Sequence, residues 1–198
     1  MKSVRFDSYG GTDVLQLVDV ELDDPPAGEV AVAVRAAGIN PGEASIRRGD
    51  LEQAFPTTFP CGEASDLAGV VTAVGRGVHS WAVGDGVLGW TDRRASYAEA
   101  VLVPADQLVA KPAGLWWDVA GVLFVVATTA YAAVRAVAAG PGDTGTGVRR
   151  GRRCWLCDRA AAAGLRRRGG RDRVGGQPRL AALAGCDTGG VRRGRVTR

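Results

Sequence analysis

The sequence predicts a mostly β domain of the α+β class, which continues into a helix and then into a segment of different composition. Three observations predict this. Short apolar runs recur about every ten residues and end in Gly or Pro, which is typical of a small barrel or sandwich. Residues 115–140 form a long apolar stretch of helical character. Residues 145–198 contain 15 Arg and 12 Gly, which leaves too little apolar surface to offset chain entropy and predicts disorder.

The strands are predicted from alternation and from the residues that end each run. Residues 29–37, EVAVAVRAA, place a valine at every second position up to Val34, the period of a half-buried strand that ends at Gly38. Residues 83–88 form another β-rich run, interrupted by a Gly-Asp-Gly turn. The remaining two predicted strands are residues 67–74 and 97–103.

The apolar stretch LWWDVAGVLFVVATTAYAAVRAVAAG, residues 115–140, predicts one or two helices that end at a Gly-Pro-Gly stop. Its longest apolar run, residues 119–134, spans 16 residues, fewer than the roughly 20 that cross a bilayer. We therefore predict a buried helix and no membrane association.

Charge divides the chain at Thr144. Residues 1–144 carry 10 basic and 18 acidic residues, whereas residues 145–198 carry 15 Arg and 3 Asp. The overall net charge of +4 therefore indicates no particular partner. The N-terminus has no apolar signal region, and the four cysteines suggest no disulfide framework. We predict a reduced, cytoplasmic setting.

Four segments carry a resemblance to a known family. They occur in one order and spacing along residues 1–144 and read AAGINPGEASIRRG (36–49), FPCGEASDLAGVVTAVGRGVHSWAVGDGVLG (59–89), SYAEAVLVPADQLVAKP (96–112) and ATTAYAAV (127–134). This part of the chain resembles the zinc-independent quinone oxidoreductases (zeta-crystallin-like) of the medium-chain dehydrogenase/reductase superfamily.

The resemblance implies a GroES-like catalytic domain with an irregular β-barrel over residues 1–115 and a helical connection over residues 116–144 towards a Rossmann domain. In intact relatives the implied reaction is hydride transfer from NADPH to a small-molecule quinone or enone. The choice between NADPH and NADH, the identity of the substrate and the oligomeric state stay open, because the residues that decide them belong to the Rossmann domain.

Two cofactor-binding residues are implied by the resemblance, Asn40 and Thr129, and no catalytic residue is assigned. The alternative for Asn40 is an asparagine that satisfies its own turn before Pro41. The alternative for Thr129 is a hydroxyl that bonds back to a carbonyl one turn earlier. Arg47 and Arg48 either meet an anionic cofactor or form a solvated face.

Two departures from related enzymes bear on the chemistry. Ser45 stands where these quinone reductases often carry an aromatic residue, and a serine offers no ring for substrate stacking. The zinc-dependent relatives have a Cys and a Gly-His-Glu where this chain has GINPGE and SDLAGV. Since catalytic zinc takes about three protein ligands and His79 is the only histidine, no metal is predicted. The pair Cys154 and Cys157 has no second pair to complete a site.

Residues 145–198 have no apolar strand ahead of a Gly-rich turn and therefore do not encode the expected dinucleotide fold. We interpret them as an out-of-frame, disordered tail. Arg, Gly and Ala fill the segment, as expected when GC-rich codons are read in the wrong frame. When the reading frame is shifted by one nucleotide, the codons of residues 151–161 permit the peptide AAGVGSVTVQL, which resembles a nucleotide-binding turn. The chain as written is then predicted to be a truncated oxidoreductase with little or no turnover.

The alternative class is a nucleic-acid-binding tail on a GroES-like domain. A flexible segment with 15 Arg binds phosphate backbones through counterion release. The tail has one aromatic residue, Trp155, for base stacking. Non-specific adhesion to nucleic acid is therefore predicted, and a selected binding role is the competing hypothesis.

Overall fold

The computed structural model describes residues 1–136. Predictions on residues 137–198, namely the disordered tail, the frameshift and the Cys154–Cys157 pair, lie outside the described residues. The strands are β1 (Lys2–Phe6), β2 (Gln16–Asp19), β3 (Glu29–Ala37), β4 (Cys61–Gly62), β5 (Asp66–Val74), β6 (Gly86–Trp90), β7 (Ala100–Pro104) and β8 (Leu108–Ala110). The helices are α1 (Pro41–Arg47), α2 (Trp117–Ala120) and α3 (Leu123–Ala136).

The strands form two antiparallel sheets. The five-stranded sheet has the order β7-β3-β5-β6-β8, and the three-stranded sheet has the order β2-β1-β4. A bridge between Ser3 and Ala98 joins the first strand to the segment before β7. The pairing of β3 with β5 contains two register shifts, which bend the central strands of the larger sheet. The mostly β prediction is confirmed.

The main core lies on the larger sheet and is built from the runs of the predicted strands. Val30 and Val32 of β3 are fully buried, as is Leu67 of β5. Burying such a side chain stabilises a fold by about 1.5–3 kcal/mol. The other buried members of this cluster are Val71, Val87, Val101, Val103 and Leu108.

The strand predicted at residues 83–88 begins later, at Gly86. Its first residues form a turn, in which the Asp85 carboxylate accepts a hydrogen bond from the Ala82 N–H at 2.8 Å. Gly84 lies in this turn with a φ of +98°, a conformation that glycine adopts without strain. The strand predicted from residue 97 likewise begins at Ala100.

The predicted helical stretch forms two helices separated at Gly121. They cover the outer face of β5 and β6, where Ala68, Leu88 and Ala120 form a second buried cluster. On α3, Ala127, Ala130 and Val134 are the buried residues, a spacing that presents one stripe to the sheet. Within residues 1–136, every helix falls short of the length and apolarity needed to cross a membrane.

Candidate functional site

Asn40, the first predicted site residue, is the N-cap of α1. Pro41 occupies the first helical position, where its missing N–H costs nothing. The Glu43 carboxylate accepts a hydrogen bond from the Asn40 N–H at 2.9 Å, completing a capping box. Glu43 also accepts from the Asn40 carboxamide nitrogen at 3.3 Å. Asn40 therefore satisfies its own turn, which is the structural alternative considered from the sequence.

The Asn40 carboxamide has a second partner outside its helix. Its nitrogen donates to Asp66 Oδ2 at 3.1 Å. The other carboxylate oxygen, Asp66 Oδ1, accepts from the Val125 N–H at 3.0 Å. Asp66 is the first residue of β5 and is 0% exposed. One buried carboxylate thus joins the cap of α1 to the first turn of α3.

Two glycines allow close backbone approaches in this region, Gly38 to the Asp66 carboxylate and Gly121 to the end of β3. A Cβ at Gly38 would lie 2.7 Å from Asp66 Oδ2. A Cβ at Gly121 would lie 2.6 Å from the carbonyl carbon of Ala36, so any side chain there would separate α2 and α3 from the end of β3. The small residues around Asp66 therefore determine how closely the helices meet the barrel.

A second buried group of charges lies beside Asp66. Arg47 and Glu63 form an ion pair in which both side chains are almost fully buried. Arg47 Nε also donates to the carbonyl of Gly11 at 3.0 Å. Arg47 is therefore neither part of a solvated face nor open to an anionic cofactor. Arg48, by contrast, is exposed and pairs with Asp50 at 2.7 Å.

The remaining contacts tie these charges into one set, which we call the polar cluster: Asn40, Glu43, Arg47, Glu63, Asp66 and Tyr97. Glu43 Oε1 accepts from the Ser65 N–H at 3.0 Å. The Tyr97 hydroxyl donates to the carbonyl of Gly38 at 3.0 Å. The polar cluster holds three carboxylates against one guanidinium.

Burial raises the pKa values of three members of the polar cluster, Asp66, Glu63 and Tyr97. Burial raises the pKa of Asp66 to about 6, although the hydrogen bonds from Asn40 and Val125 oppose the shift. Burial also raises the pKa of Glu63, while the Arg47 guanidinium lowers it. Burial and the negative charges of Glu43 and Glu63 raise the pKa of Tyr97 to about 12. Asp66 is therefore an acid that changes charge near neutral pH.

Thr129, the second predicted site residue, is exposed on α3. Its hydroxyl has no hydrogen-bond partner among residues 1–136. The hydrogen bond to a carbonyl one turn earlier, which is the alternative for Thr129, is made by Thr128 instead. Thr128 Oγ1 donates to the Phe124 carbonyl at 2.7 Å. Thr129 lies four residues, about one turn, after Val125. Asp66 therefore contacts Asn40 and the helical turn that precedes Thr129, and the cofactor-binding roles of Asn40 and Thr129 stay predictions.

The other positions weighed from the sequence lie elsewhere or are occupied. Ser45 Oγ accepts from Arg48 Nη2 at 3.2 Å and supplies no aromatic surface. His79 lines a shallow surface pocket with Trp81 and Asp106, none of which belongs to the polar cluster. Within the described residues, no group of three His, Cys, Asp or Glu side chains is placed to hold a metal ion.

Sequence reasoning missed Asp66, Glu43, Glu63 and Tyr97 as site residues. One signal was available, since Asn40 is followed three residues later by Glu43, the spacing of a capping box. The Asp66 contact with Val125 joins residues 59 positions apart, and no local pattern predicts such a pair.

Comparison with known proteins gives consistent matches to this part of the chain. Residues 26–113 match the model of the alcohol dehydrogenase GroES-like domain. A chloroplastic quinone-oxidoreductase homolog of Spinacia oleracea is 31% identical over 68% of this chain and 42% of its own length. Quinone oxidoreductase 1 of Escherichia coli is 31% identical over 67% of this chain and 39% of its own length.

Solved structures agree with the sequence matches. The Escherichia coli quinone oxidoreductase complexed with NADPH superposes with a TM-score of 0.64 at 29% identity, covering 69% of this chain and 41% of that one. The quinone oxidoreductase of Coxiella burnetii gives a TM-score of 0.68 at 29% identity, covering 72% and 47%. The chain therefore spans about two fifths of the length of the curated relatives it matches.

Proposed function

We propose that this chain, which belongs to the zinc-independent quinone oxidoreductase-like members of the medium-chain dehydrogenase/reductase family, supplies the nicotinamide-facing half of a hydride-transfer site. Residues 1–115 are the proposed GroES-like catalytic domain, and residues 116–144 are the proposed connection to a nucleotide-binding unit. The proposed acceptor is a small quinone or enone, and the proposed location is the cytoplasm.

A single observation supports this role above the others. Asn40 and the first turn of α3 are bound to the same carboxylate, Asp66, with Thr129 exposed one turn further along. The arrangement places two neutral polar groups, a carboxamide and a hydroxyl, at the junction of the barrel and the helix. The Asn40 carboxamide nitrogen already donates to Glu43 and Asp66, so the Asn40 oxygen remains as an acceptor and the Thr129 hydroxyl as a donor and acceptor. Uncharged groups of this kind suit the carboxamide of a nicotinamide ring.

The described residues fit only one end of NADPH. The N-terminus of a helix is a natural site for pyrophosphate, but in α3 the Val125 N–H is bonded to the Asp66 carboxylate. Arg47, the buried guanidinium of the polar cluster, is paired with Glu63. Residues 1–136 thus offer polar groups for the nicotinamide end and no free buried cation for the phosphates.

NADPH, when bound, would supply the hydride and the electrons of the reaction. The contribution of this chain to the reaction would then be to position the nicotinamide ring. Glu43 and Asp66 fix the plane of the Asn40 carboxamide from two sides, so the group loses little rotamer freedom when it meets a ligand. Ser45 is held by Arg48, so the quinone ring would receive no stacking from this position.

Because the sequence of residues 145–198 has no apolar run ahead of a Gly-rich turn, we further propose that the chain as written has little turnover. The test is NADPH fluorescence on the purified full-length chain, together with NADPH oxidation in the presence of a soluble quinone. We expect no saturation by NADPH in the micromolar range and no quinone-dependent oxidation. Micromolar NADPH binding would overturn this proposal.

The nicotinamide-facing role has a separate test that does not need turnover. Asn40 is the only asparagine of the chain, so labelling with ¹⁵N-asparagine gives one backbone amide signal and one pair of carboxamide signals in an NMR spectrum. Nicotinamide mononucleotide at millimolar concentration is expected to shift the carboxamide signal. Thr129→Val should weaken this response, since it removes an exposed hydroxyl.

Thr128→Val is the matched control for that substitution. The Thr128 hydroxyl is bonded to the Phe124 carbonyl within the helix, so its removal should leave the response to nicotinamide mononucleotide unchanged. An Asn40 signal that ignores the nucleotide, or equal weakening by both substitutions, would contradict the proposed role.

A further inference from the structure

Asp66 enters the proposed function as the acceptor of two hydrogen bonds, and its charge has no part there. It occupies the start of β5, directly before Leu67 of the apolar core. Both of its carboxylate oxygens have protein partners, the Asn40 carboxamide and the Val125 N–H. A fully buried carboxylate is costly, and here it is retained between two elements that contribute one predicted cofactor contact each.

We infer that Asp66 is a positioning residue that holds the Asn40 carboxamide and the first turn of α3 in one fixed relation, and that its charge state controls both contacts together. This inference rests on the proposed function for its significance, because Asn40 and Thr129 are the contacts being positioned. Its geometry stands on the two hydrogen bonds alone.

The position of α3 on the sheet depends on two contacts next to Asp66. In the sheet Asp66 is the register partner of Trp90, and the Trp90 ring is stacked on Phe124 of α3 with centroids 5.7 Å apart. This apolar contact brings α3 to the sheet. The orientation of the first turn relative to Asn40 is then set by the bond from Val125, whose acceptor is Asp66.

The ionised form of Asp66 is the form that both donors favour. N–H groups bond more strongly to a carboxylate than to a neutral carboxyl group. Protonation near pH 6, where burial places the pKa of Asp66, puts a hydrogen on one of the two oxygens and weakens the contact made there. Because the proton exchanges rapidly between the two oxygens, the contacts with Asn40 and Val125 should weaken together, with the same midpoint pH.

The other titratable groups around Asp66 are few. Glu43 approaches from α1 and disfavours its charge, and Tyr97 faces it from the segment before β7. On α2, Asp118 is exposed and accepts from its neighbouring Val119 N–H, and on α3 the described charge is Arg135 in the last turn.

The test uses the full chain labelled with ¹⁵N, with the single asparagine as the internal reporter. From pH 8 to pH 4.5, the carboxamide protons of Asn40 and the amide proton of Val125 are expected to move upfield with one shared midpoint near 6. Glu43→Gln should preserve a shared titration but at a lower midpoint, because it leaves the Asp66 contacts in place and removes a negative charge that raises the pKa of Asp66. Asp66→Asn should abolish it at both positions; the second carboxamide that this variant introduces is recognised because its signals are absent from the wild-type spectrum.

The outcomes separate the inference from the proposed function. Unequal midpoints, or a titration that survives Asp66→Asn, would overturn the inference even if nicotinamide mononucleotide binds. A shared titration without any response to the nucleotide would support the inference and contradict the proposed function. If Asp66→Asn does not fold, the wild-type and Glu43→Gln titrations decide by themselves.

Discussion

The apolar core and the charged side chains of the polar cluster are both buried, yet burial has opposite energetic effects in them. Leu67 and Asp66 are neighbours on β5, and both are 0% exposed. Burial of Leu67 stabilises the fold by removing apolar surface from water. Burial of Asp66 costs free energy, which the hydrogen bonds from Asn40 and Val125 offset. The stability of the core thus depends on how much apolar side-chain volume is buried, whereas that of the polar cluster depends on hydrogen-bond and charge partners.

This difference makes the two regions sensitive to different substitutions. A core side chain can be shortened at a cost set by the cavity it leaves. In the polar cluster the removal of one member leaves another charged and unpaired in a dry environment. The following changes test this contrast, starting with the largest expected effect.

Arg47→Met should produce the largest loss. It leaves the nearly buried Glu63 carboxylate without its guanidinium, and we expect the free energy of unfolding to fall by ~4 kcal/mol. The measurement is urea denaturation of the full chain followed by tryptophan fluorescence. The double variant Arg47→Met, Glu63→Leu should recover most of the loss. Equal losses in the single and double variants would mean that charge pairing is not the cause.

Leu67→Ala should destabilise the core by about 3 kcal/mol, because it removes a fully buried side chain and leaves a cavity. Leu17→Ala is the matched control. Leu17 is 68% exposed on β2, and its truncation should change stability by less than about 0.5 kcal/mol. Comparable losses in the two variants would show that the sheet face assigned to the core is wrong.

The pH dependence of stability should follow the raised pKa of Asp66. The folded state binds this proton more tightly than the unfolded chain, in which the ordinary value is 3.8. The stabilisation that protonation of Asp66 contributes is therefore complete below pH 3.8. As the pH rises to about 6 this contribution is lost, which lowers the free energy of unfolding by up to ~3 kcal/mol. Urea denaturation from pH 3 to pH 7 of the wild type and of Asp66→Asn isolates the effect as their difference. A difference that stays constant with pH would refute the burial of a charge at this position.

The smallest effect is expected at the surface. Lys2 and Asp19 form an ion pair at 2.6 Å, with 51% and 74% of their side chains exposed. Lys2→Ala should change the free energy of unfolding by less than about 1 kcal/mol, because solvent screens such pairs. A loss comparable to that of Arg47→Met, measured by the same denaturation, would remove the contrast between buried and exposed pairs.

The parts of the fold that could be predicted are those that apolar periodicity encodes locally. The runs at residues 29–37 and 67–74 correspond closely to β3 and β5, and the stretch from residue 115 forms helices. The strands β1, β2, β4 and β8 escaped prediction, since they are short and lie in segments without a clear alternation. Strand β4, for example, is defined by two residues that pair with Arg5 and Phe6.

The candidate site was predicted in part, through two residues that a family resemblance supplied. Asn40 and Thr129 carry no local signal for a ligand, because an asparagine before proline and a threonine in a helix each have ordinary structural roles. The structure places Asn40 in its capping role and leaves the Thr129 hydroxyl exposed. Their cofactor contacts stay predictions, and Asp66 is the residue that connects them.

The sequence by itself determined the mostly β class, the central strands and the helical end of the described region, because hydrophobic period and turn residues act over a few neighbours. Only the tertiary structure decided which polar residues are buried together. Asn40, Asp66 and Val125 meet across 26 and 59 positions of chain. A carboxylate becomes a buried acid with a raised pKa only when distant elements close around it, and no short-range pattern records that enclosure.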